Sequence, residues 1–343
     1  MKKKIGILTF HRADNVGAVL QAYALSKYIT DMLGIKAEII DYKCKKIEDT
    51  RYTRSGGFIK NILISVYYMI KRAGFNRFRK KYLPLSNTEY TRGTIGESNL
   101  VYDTFVSGSD QIWNSECSDN DLTYFLDFVN EDKSRIAYAA SIGAVNYTNQ
   151  EVESYKEYLG RYKAISVREQ SSINKLDLPH DTWILPDPVF LLNKEEWGKI
   201  SRPIRHKKKY VFVYLIQEDI NVLCAAKEYA KQHDCEIIAN KTNLRFFLNN
   251  SPDNFLSWIE NAEAVFTNSF HGTAFSIIYQ KKLAADIVLK NGGTNNRIKE
   301  LLISSDLERC IIIDSDMVPK EAKADIWLQR QKSNARRFLI QNI

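Results

Sequence analysis

The sequence predicts an α/β protein of two domains, each built on a parallel sheet. Its 343 residues exceed the ~100–200 residues that usually form one domain. Short, continuous apolar runs alternate with helical patterns along most of the chain, as in strands that helices cover on both faces. Apolar residues make up 44% and charged residues 26%, which excludes wholesale disorder and a fibrous fold.

The predicted strands form two series along the chain. The first series is Ile5–Phe10, Ala37–Asp41, Tyr102–Ser107, Arg135–Ser141, Ala164–Val167 and Trp183–Leu185. The second series is Tyr210–Ile216, Glu236–Ala239, Ala264–Thr267, Leu283–Ile287 and Ile311–Ile313. The helices predicted between them are Gly17–Met32, Glu151–Arg161, Ile220–Gln232, Pro252–Asn261 and Gly272–Tyr279. Because strands and helices alternate, each sheet should be parallel with right-handed crossovers.

A polar stretch, Leu192–Lys209, separates the two series and predicts the domain boundary. We therefore expect an N-terminal domain at residues 1–195 and a C-terminal domain at residues 205–318. Residues 320–343 are predicted to form a helix that packs back toward the N-terminal domain. Two such domains should enclose a cleft at the carboxyl ends of their strands, where ligands bind in α/β sheets.

The net charge of +8 comes from a single segment. Residues 43–92 contain 13 Lys and Arg against 3 Asp and Glu, whereas the rest of the chain has 36 basic and 38 acidic residues. This concentration, without a recognisable module, argues against a nucleic-acid partner. We interpret the segment as a basic helical insertion in the first domain. Its apolar stretch Phe58–Ile70 leaves two hypotheses open, which are peripheral contact with an anionic membrane and a solvated basic face.

The remaining composition predicts a cytoplasmic protein without a metal. The five cysteines are scattered and form no paired motif, which is typical of free thiols in a reducing compartment. The basic start is followed by an apolar run that ends at His11, too short for a signal peptide. No spacing of His, Cys, Asp and Glu resembles a metal site, so neither a metal nor a cofactor is expected.

Two loops of the first domain carry candidate binding residues. Thr9–Gly17 follows a strand and opens a helix, a natural site for an anion or a sugar hydroxyl, although Asn15 could instead cap the helix. Ser107–Asn114 gathers Ser, Asp, Gln, Trp and Asn at the end of a buried strand, a mixture suited to a sugar. Asp110 is a candidate base there. The alternative is that Asp110 caps a helix and Trp113 belongs to the core.

Two further strand ends carry candidates for anion binding. Arg168 follows a short strand and is suited to phosphate or carboxylate, although the pair Arg168–Glu169, taken alone, is more often a salt bridge than a site. In the second domain, Ser269–Gly272 joins a buried strand to a helix. His271 therefore lies beside a helix N-terminus, a position that favours anions, and it has the best setting of the five histidines.

With these motifs in place, the sequence resembles the polysaccharide pyruvyltransferase family along nearly its whole length. The motifs that carry the resemblance are Ile5–Phe10 with Asn15 and Gly17, Ser107–Asn114, Tyr138–Gly143, Ser166–Glu169, Asp187–Phe190, Ser269–Gly272 and Asn296–Ile298. The resemblance implies a fold like the GT-B glycosyltransferases, with two Rossmann-like domains facing a cleft. It also implies phosphoenolpyruvate as co-substrate, and a pyruvate ketal on a surface or capsular polysaccharide precursor as product. The acceptor would be a sugar or a lipid-linked oligosaccharide.

The resemblance also implies roles for individual residues. The catalytic residues would be His271 as general acid, Arg168 and Asp110. The donor would be bound by Arg168, Ser269, His271, Gly272, Lys290 and Arg297. The acceptor would be bound by Asn15, Gly17, Ser109, Asp110, Gln111, Trp113 and Asn114.

One position departs from the family pattern. Many members have Arg two residues before the histidine, where this chain has Ser269. Anion binding should therefore shift to Arg297 or Lys290. Two other functions remain open, which are a GT-B glycosyltransferase that uses a nucleotide sugar and a non-catalytic glycan-binding relative. A dinucleotide-dependent enzyme is disfavoured because the glycine fingerprint is missing.

Overall fold

A computed structural model of the chain describes residues 3–48, 58–288, 294–312 and 318–343. The chain divides into two compact units. The first unit consists of Met1–Arg54, Arg79–Leu192 and Arg330–Ile343, and the second of Ser55–Phe78 and Asn193–Gln329. The basic segment that was assigned to the first domain is thus divided between the two units.

The first unit is built on a seven-stranded parallel sheet. Its strands are β1 (Ile5–Leu8), β2 (Ala37–Tyr42), β3 (Leu85–Tyr90), β4 (Thr104–Ser107), β5 (Ser134–Ala140), β6 (Ala164–Val167) and β7 (Trp183–Ile184). They lie in the order β3-β2-β1-β4-β5-β6-β7, and all neighbouring pairs are parallel. The order 3-2-1-4-5-6 is that of the Rossmann fold. All residues of β1 and β4 are buried, as expected for central strands covered on both faces.

The second unit is built on a five-stranded sheet. Its strands are β8 (Tyr210–Tyr214), β9 (Glu236–Ala239), β10 (Ala264–Thr267), β11 (Lys282–Ala285) and β12 (Lys320–Glu321). They lie in the order β12-β11-β10-β8-β9, with β12 antiparallel and the others parallel. Counted within the unit, the parallel strands have the order 2-1-3-4, which is the doubly wound order of flavodoxin-like folds. The two parallel sheets confirm the predicted α/β class.

The described helices connect these strands and cover the sheets. They are α1 (Val16–Leu33), α2 (Lys45–Glu48), α3 (Phe58–Tyr82), α4 (Ser115–Ser118), α5 (Asn149–Leu159), α6 (Gln170–Leu176), α7 (Lys194–Gly198), α8 (Ile220–Gln232), α9 (Leu244–Leu248), α10 (Pro252–Glu260), α11 (Phe270–Ile278), α12 (Asn296–Ser304) and α13 (Asp325–Asn342). None of them is long and apolar enough to cross a bilayer.

The last helix belongs to the core of the first unit. Ala335, Phe338 and Leu339 of α13 are fully buried and pack in one cluster with Ile5 and Ile7 of β1. Burial of each large apolar side chain contributes about 1.5–3 kcal/mol. The C-terminal segment is therefore a structural part of the first unit.

Most of α3 packs within the second unit. Phe75 and Phe78 are fully buried. At Gly74, a Cβ atom would lie 2.9 Å from the Cβ of Ser251, so only glycine allows this approach. Arg77 donates to Asp253 at 2.9 Å and to the hydroxyl of Ser251 at 3.0 Å. The helix therefore buries its aromatic residues and leaves its other face exposed.

Two strands were absent from the prediction, and one predicted strand is not formed as expected. β3 has a polar sequence with half-exposed residues, and β12 has two exposed residues, so neither shows a continuous apolar run. Ile311 forms an isolated bridge with Ala285, and Ile313 lies outside the described residues. These two edge strands lack the apolar pattern on which the prediction depended.

Candidate functional site

In the first unit, the predicted acceptor residues lie at the point where the winding of the sheet reverses. β1 and β4 are neighbours, and the chain continues from them toward opposite edges. In open α/β sheets, ligands bind outside the carboxyl ends of the strands at this position. The loops that follow the two strands are residues 9–15 and 108–114. They contain or adjoin every residue to which the resemblance assigned the acceptor.

A buried histidine fixes the first of these loops. The ring of His11 is 1% exposed, with Nδ1 3.0 Å from the carbonyl oxygen of Thr9 and Nε2 2.9 Å from Asp41. Burial would raise the pKa of Asp41, but hydrogen bonds from His11 and Arg12 lower it to about 2. The ring thus connects the backbone of this loop to Asp41 at the end of β2.

Arg12 ties the same loop to the carboxyl ends of β2 and β3. Its guanidinium pairs with Asp41 at 2.7 Å, Glu48 at 2.6 Å and Glu89 at 2.5 Å. Three carboxylates around one half-buried guanidinium raise its pKa, although burial acts in the opposite direction. The charge of Arg12 is thus engaged by carboxylates of the protein itself. Its pair with Glu48 holds the loop to α2.

Arg79, in the last turn of α3, clamps the loop from its other side. Its Nε donates to the carbonyl oxygen of His11 at 2.9 Å, and its Nη2 donates to those of Arg12 and Ala13 at 2.8 Å. Nη2 also pairs with Asp14 at 2.6 Å. The residue is 8% exposed. Sequence reasoning missed this role, because the partners of Arg79 lie 65–68 residues earlier in the chain.

Asn15 and Gly17 form the start of α1. The side-chain oxygen of Asn15 accepts from the backbone nitrogens of Gly17 at 2.9 Å and Ala18 at 3.3 Å. This is the capping role that the sequence left open as an alternative. Asn15 is exposed and Gly17 is buried. Of the two, only Asn15 therefore presents a side chain to solvent.

The second loop places Asp110 in an unusual backbone conformation. Its φ is 80°, which a residue other than glycine rarely adopts and which costs about 1–3 kcal/mol. Its carboxylate accepts from the backbone nitrogen of Gln111 at 2.9 Å, and its carbonyl accepts from that of Ser141 at 3.1 Å. The carboxyl group is therefore held beside the strand end at the cost of local strain.

The two amides of this loop bond to each other. Asn114 donates to the side-chain oxygen of Gln111 at 2.9 Å and caps α4 by accepting from Glu116 and Cys117. A Cβ at Gly143, whose φ is 65°, would lie 1.9 Å from the same oxygen of Gln111. These amides thus have structural partners in addition to any ligand.

Trp113 is a core residue and has no face open to a sugar, so the structure does not support its predicted acceptor role. It is 1% exposed, stacks on Phe125 with ring centroids 5.5 Å apart, and donates its indole N–H to the carbonyl of Tyr124 at 3.2 Å. A large aromatic side chain gains more by burial than by contact with a solvated ligand. This is the core alternative that the sequence left open.

Arg168 lies buried in an ionic network, which corrects its predicted role as an anion clamp. Its side chain is 3% exposed and pairs with Asp187 at 2.6 Å and with Glu169 at 3.6 Å. Burial opposes its charge, but these carboxylates raise the pKa of the guanidinium overall. Asp187 also accepts from Ser109 at 3.4 Å. Arg168 therefore connects β6 to the 108–114 loop from inside the protein.

The second unit has an equivalent reversal point between β8 and β10. Asn268, which follows β10, accepts from the backbone nitrogen of Ile216 at 2.8 Å and donates to the carbonyl of Gln217 at 3.1 Å. The two loops that follow these strands are thus joined by one amide. The donor motif 269–272 begins at the next residue.

The donor motif forms the N-terminus of α11. Ser269 caps the helix by accepting from the backbone nitrogen of Gly272 at 3.2 Å. A Cβ at Gly272 would lie 2.4 Å from Oγ1 of Thr267, so glycine is required for this close turn. His271 is the second residue of the helix and is partly exposed, with its ring against that of Phe270. Its imidazole therefore lies at the positive end of a helix dipole.

The other predicted donor residues lie after β11. Arg297 is partly buried in the first turn of α12, a helix that packs against α11. Lys290 lies outside the described residues. The structure thus brings Ser269, Gly272 and His271 together in the second unit, whereas Arg168 belongs to the first unit.

A carboxyl pair in the second unit was not predicted from the sequence. Asp286 follows β11, and its carboxyl is near that of Asp219, which caps α8. Burial and the neighbouring carboxyl of Asp219 raise the pKa of Asp286 to about 6. The two residues are far apart in the chain, so no local pattern could have indicated the pair. In the described part of the chain, no group of three or more His, Cys, Asp and Glu could hold a metal ion.

The geometry defines an α/β protein with polar loops at both reversal points, an arrangement suited to sugars and anions. The sequence matches the polysaccharide pyruvyl transferase family over residues 15–285. The chain therefore belongs to this family of transferases. No curated protein matches it significantly.

Several solved structures are similar to this chain at low sequence identity. They include UDP-GlcNAc 2-epimerase from Methanocaldococcus jannaschii, at 11% identity and a TM-score of 0.47, covering 97% of this chain and 92% of that one. UDP-GlcNAc 2-epimerase from Neisseria meningitidis has 9% identity and a TM-score of 0.44, with 100% and 99% covered. ADP-heptose lps heptosyltransferase II from E. coli has 12% identity and a TM-score of 0.36, with 99% of both chains covered. These values are too low for any inference about substrate.

Proposed function

We propose that this protein transfers the enolpyruvyl group of phosphoenolpyruvate onto a sugar of a surface or capsular polysaccharide precursor. The product is a pyruvate ketal that bridges two hydroxyls of one sugar. The family match over residues 15–285 is the observation that carries this proposal. Membership gives the class of transferase, and the donor and the acceptor are our inference.

The second unit supplies the groups that suit the donor. Phosphoenolpyruvate carries a phosphate and a carboxylate, so its site needs positive charge and backbone N–H groups. We assign it to the N-terminus of α11 with Ser269, His271 and Gly272, and to Arg297 on α12. Lys290 stays a predicted donor ligand. We remove Arg168 from the assignment because Asp187 and Glu169 already engage its charge in a buried network.

The chemistry requires one proton donor and two hydroxyl nucleophiles. His271 protonates the methylene carbon of the donor, which makes the neighbouring carbon electrophilic. A sugar hydroxyl attacks that carbon and loses its proton, and the C–O bond to phosphate then breaks. A second hydroxyl attacks the same carbon and closes the ketal. Of the two hydroxyl protons, one replaces the proton given by His271 and the other leaves with phosphate, so the enzyme is regenerated.

The first unit supplies the acceptor loops. We assign the sugar to the reversal point formed by residues 9–15 and 108–114. Asp110 is the proposed base for a sugar hydroxyl, because it is a carboxylate held at this point by a strained backbone. Ser109, Gln111 and Asn114 have structural partners and act by shaping the loop.

The proposal is tested by incubating the full chain with phosphoenolpyruvate and a panel of lipid-linked and nucleotide sugars. We expect phosphate release only when an acceptor is present, in amounts equal to the ketal detected by mass spectrometry. Release of a nucleotide from a nucleotide sugar, with phosphoenolpyruvate unchanged, would identify a glycosyltransferase instead. Glycan binding with neither donor consumed would identify a non-catalytic binding protein.

We further propose that the enzyme works at the inner face of the cell membrane and contacts it through α3. One face of this helix is exposed, with Val66 41% and Met69 70% accessible, followed by Arg72, Lys80 and Lys81. An apolar end followed by cations suits a surface of anionic lipid, which attracts each nearby cation by about 1 kcal/mol. Lipid-linked acceptors are exposed at such a surface.

Vesicle sedimentation tests this contact. We expect binding to vesicles of phosphatidylcholine with phosphatidylglycerol and not to phosphatidylcholine alone. Lys80→Glu with Lys81→Glu should abolish it, whereas the matched control Lys207→Glu with Lys209→Glu, on an exposed loop, should not. Equal binding by both double variants, or none by the wild type, would contradict the contact.

A further inference from the structure

A cavity of about 310 Å³ lies in the first unit. The walls of the cavity come from three segments of the chain, which follow β2, β3 and α4. The charged and amide side chains that line it are Lys45, Lys46, Arg92, Asp119, Asn120 and Asp121. None of them belongs to the residues that the family resemblance assigned. A cavity of this size lies at the lower end of the range for ligand pockets, about 300–1,000 Å³, and accommodates a single sugar ring with its substituents.

Some of the charges in this cavity are already engaged. Arg92 pairs with Asp127 through two contacts of 2.7 and 2.5 Å. Asp121 accepts from the hydroxyl of Tyr42 at 2.6 Å and from the backbone nitrogen of Thr123 at 3.0 Å. These groups form fixed walls of the cavity.

The charges of Lys45, Lys46 and Asp119 differ from these. All three are exposed, and within the described residues none of them forms an ion pair. Two cations and one carboxylate thus line the same cavity without pairing with one another. The combination offers charge to an anion and, at the carboxylate, an acceptor for hydroxyl groups.

The segment that presents Asp119 has a defined backbone shape. Asp119 and Asn120 both have left-handed backbones, with φ of 59° and 56°. The nitrogen of Asn120 donates to the carbonyl of Ser115 at 3.2 Å, and its side-chain oxygen accepts from Tyr155 at 3.1 Å. Asp119 is the C-cap residue of α4, so this left-handed turn ends the helix, and both residues line the cavity.

The segments that line the cavity are linked to both loops of the reversal point in the first sheet. The 9–15 loop is tied to α2, which carries Lys45 and Lys46, by the pair Arg12–Glu48 at 2.6 Å. The 108–114 loop leads through α4 to Asp119. The cavity and the loops that we assign to the acceptor thus belong to the same unit.

We propose that this cavity binds an acidic unit of the acceptor, a sugar that carries a carboxylate or a phosphate. The anionic group contacts Lys45 and Lys46, and the hydroxyls contact Asp119 and Asn120. No aromatic ring is among the described residues that line the cavity, so a nucleobase would find no stacking surface. The assignment to the acceptor rests on the proposed function, whereas binding of an acidic sugar to the cavity does not.

Calorimetric titration of the full chain tests the proposal directly. The probes are a neutral oligosaccharide, a glucuronate-containing oligosaccharide of equal length and a glycosyl phosphate. We expect an acidic probe to bind more tightly than the neutral one. Lys45→Gln with Lys46→Gln should weaken that binding about tenfold, equivalent to about 1.4 kcal/mol. Lys45→Arg with Lys46→Arg should retain it, and Lys207→Gln with Lys209→Gln is the remote control.

The pattern across the probes separates the outcomes. Preference for glucuronate identifies a carboxylate as the anion, and preference for the glycosyl phosphate identifies a phosphate. Equal binding of all three probes, or no effect of the glutamine variant, overturns the proposal. If binding depends on the lysines but no ketal forms from phosphoenolpyruvate, the cavity assignment stands and the proposed function fails. If ketals form on an acidic acceptor with an unchanged KM in the glutamine variant, the cavity assignment fails and the function stands.

Discussion

The reversal points of the two sheets use similar motifs in different ways. In the first unit, the motif residues mostly build the protein, because Asn15 and Asn114 cap helices and Trp113 lies in the core. In the second unit, Ser269 and Gly272 form the turn, and His271 remains partly exposed at the helix start. The residues of a recognisable motif can therefore be required for the fold of a loop as well as for contact with a ligand.

The two motif residues most suited to chemistry illustrate the difference. Arg168 is buried beside two carboxylates, so its loss should act first on stability. His271 is partly exposed in the first turn of α11, so its loss should act first on activity. Substitutions at these two positions separate a structural role from a catalytic one.

The largest effect is expected for His271→Gln. A positioned general acid contributes about 10²–10⁴-fold to the rate, so kcat for phosphate release should fall by that factor. Because the side chain is partly exposed, the thermal midpoint should stay close to that of the wild type. The measurement is phosphate release from phosphoenolpyruvate across a range of pH, with His233→Gln as a matched exposed control in the same unit. Ketal formation near the wild-type rate at every pH would show that His271 is not the acid.

The next effect is expected for Arg168→Met. Removing one partner of a buried ion pair leaves Asp187 uncompensated and costs about 3–5 kcal/mol of stability. Urea denaturation measures the loss, and adding Asp187→Asn should recover part of it. The exposed pair Arg161–Glu157 is the control, since Arg161→Met should change stability by less than about 1 kcal/mol. A stable variant with only a raised KM for phosphoenolpyruvate would restore the original role as an anion clamp.

These contrasts also show how far the sequence alone could lead. Continuous apolar runs predicted central strands such as β4 and β10, and hence the loops at their ends. They could not indicate β3, whose polar residues lie at the sheet edge. Patterns of burial therefore predict the centre of a sheet better than its margins.

The candidate site was predictable in position but not in detail. The resemblance placed the motifs, and the alternatives of a cap at Asn15 and a salt bridge at Arg168 were both open. Only contacts between residues that are far apart in the chain decide between these alternatives. For example, Arg168 pairs with Asp187, which lies 19 residues later. The contacts of Arg79 span still longer distances in the chain. Local patterns carry no information about such partners.

A smaller effect is expected for Arg79→Lys, which tests how the first reversal point is held. Lysine keeps the charge, but its ammonium group cannot donate to three carbonyl oxygens and also pair with Asp14 as the planar guanidinium does. We therefore expect the free energy of unfolding to fall by about 2 kcal/mol. Because the 9–15 loop loosens, the acceptor KM should rise while the KM for phosphoenolpyruvate stays constant. Urea denaturation and steady-state kinetics measure the two effects. Lys36→Met, at an exposed position of the first unit, is the control, and equal changes in both KM values would show a general loss of structure instead.

The smallest effect concerns the carboxyl pair beside the second reversal point. Because the pKa of Asp286 is raised from 3.8 to about 6, the folded state binds its proton more tightly than the unfolded chain does. This contribution to stability is complete below about pH 4 and is lost as the pH rises through about 6. Asp286→Asn removes the titration, so the variant should gain about 1–2 kcal/mol over the wild type at pH 7.5, after allowance for solvent screening.

Urea denaturation at pH 4.0, 5.0, 6.0 and 7.5 measures this difference, with the pH values chosen to span the range of about 4 to 6 over which the proton is lost. Asp219→Asn should flatten the profile only in part, because it removes the neighbouring carboxyl but leaves the burial that raises the pKa of Asp286. Asp234→Asn, on an exposed turn of the same unit, should leave the profile unchanged. A constant difference between Asp286→Asn and the wild type at every pH would mean that the pKa of Asp286 is not raised in the folded state. The polar edge of the second unit would then be shaped by Asn268 and Ser269 alone, without a titrating pair.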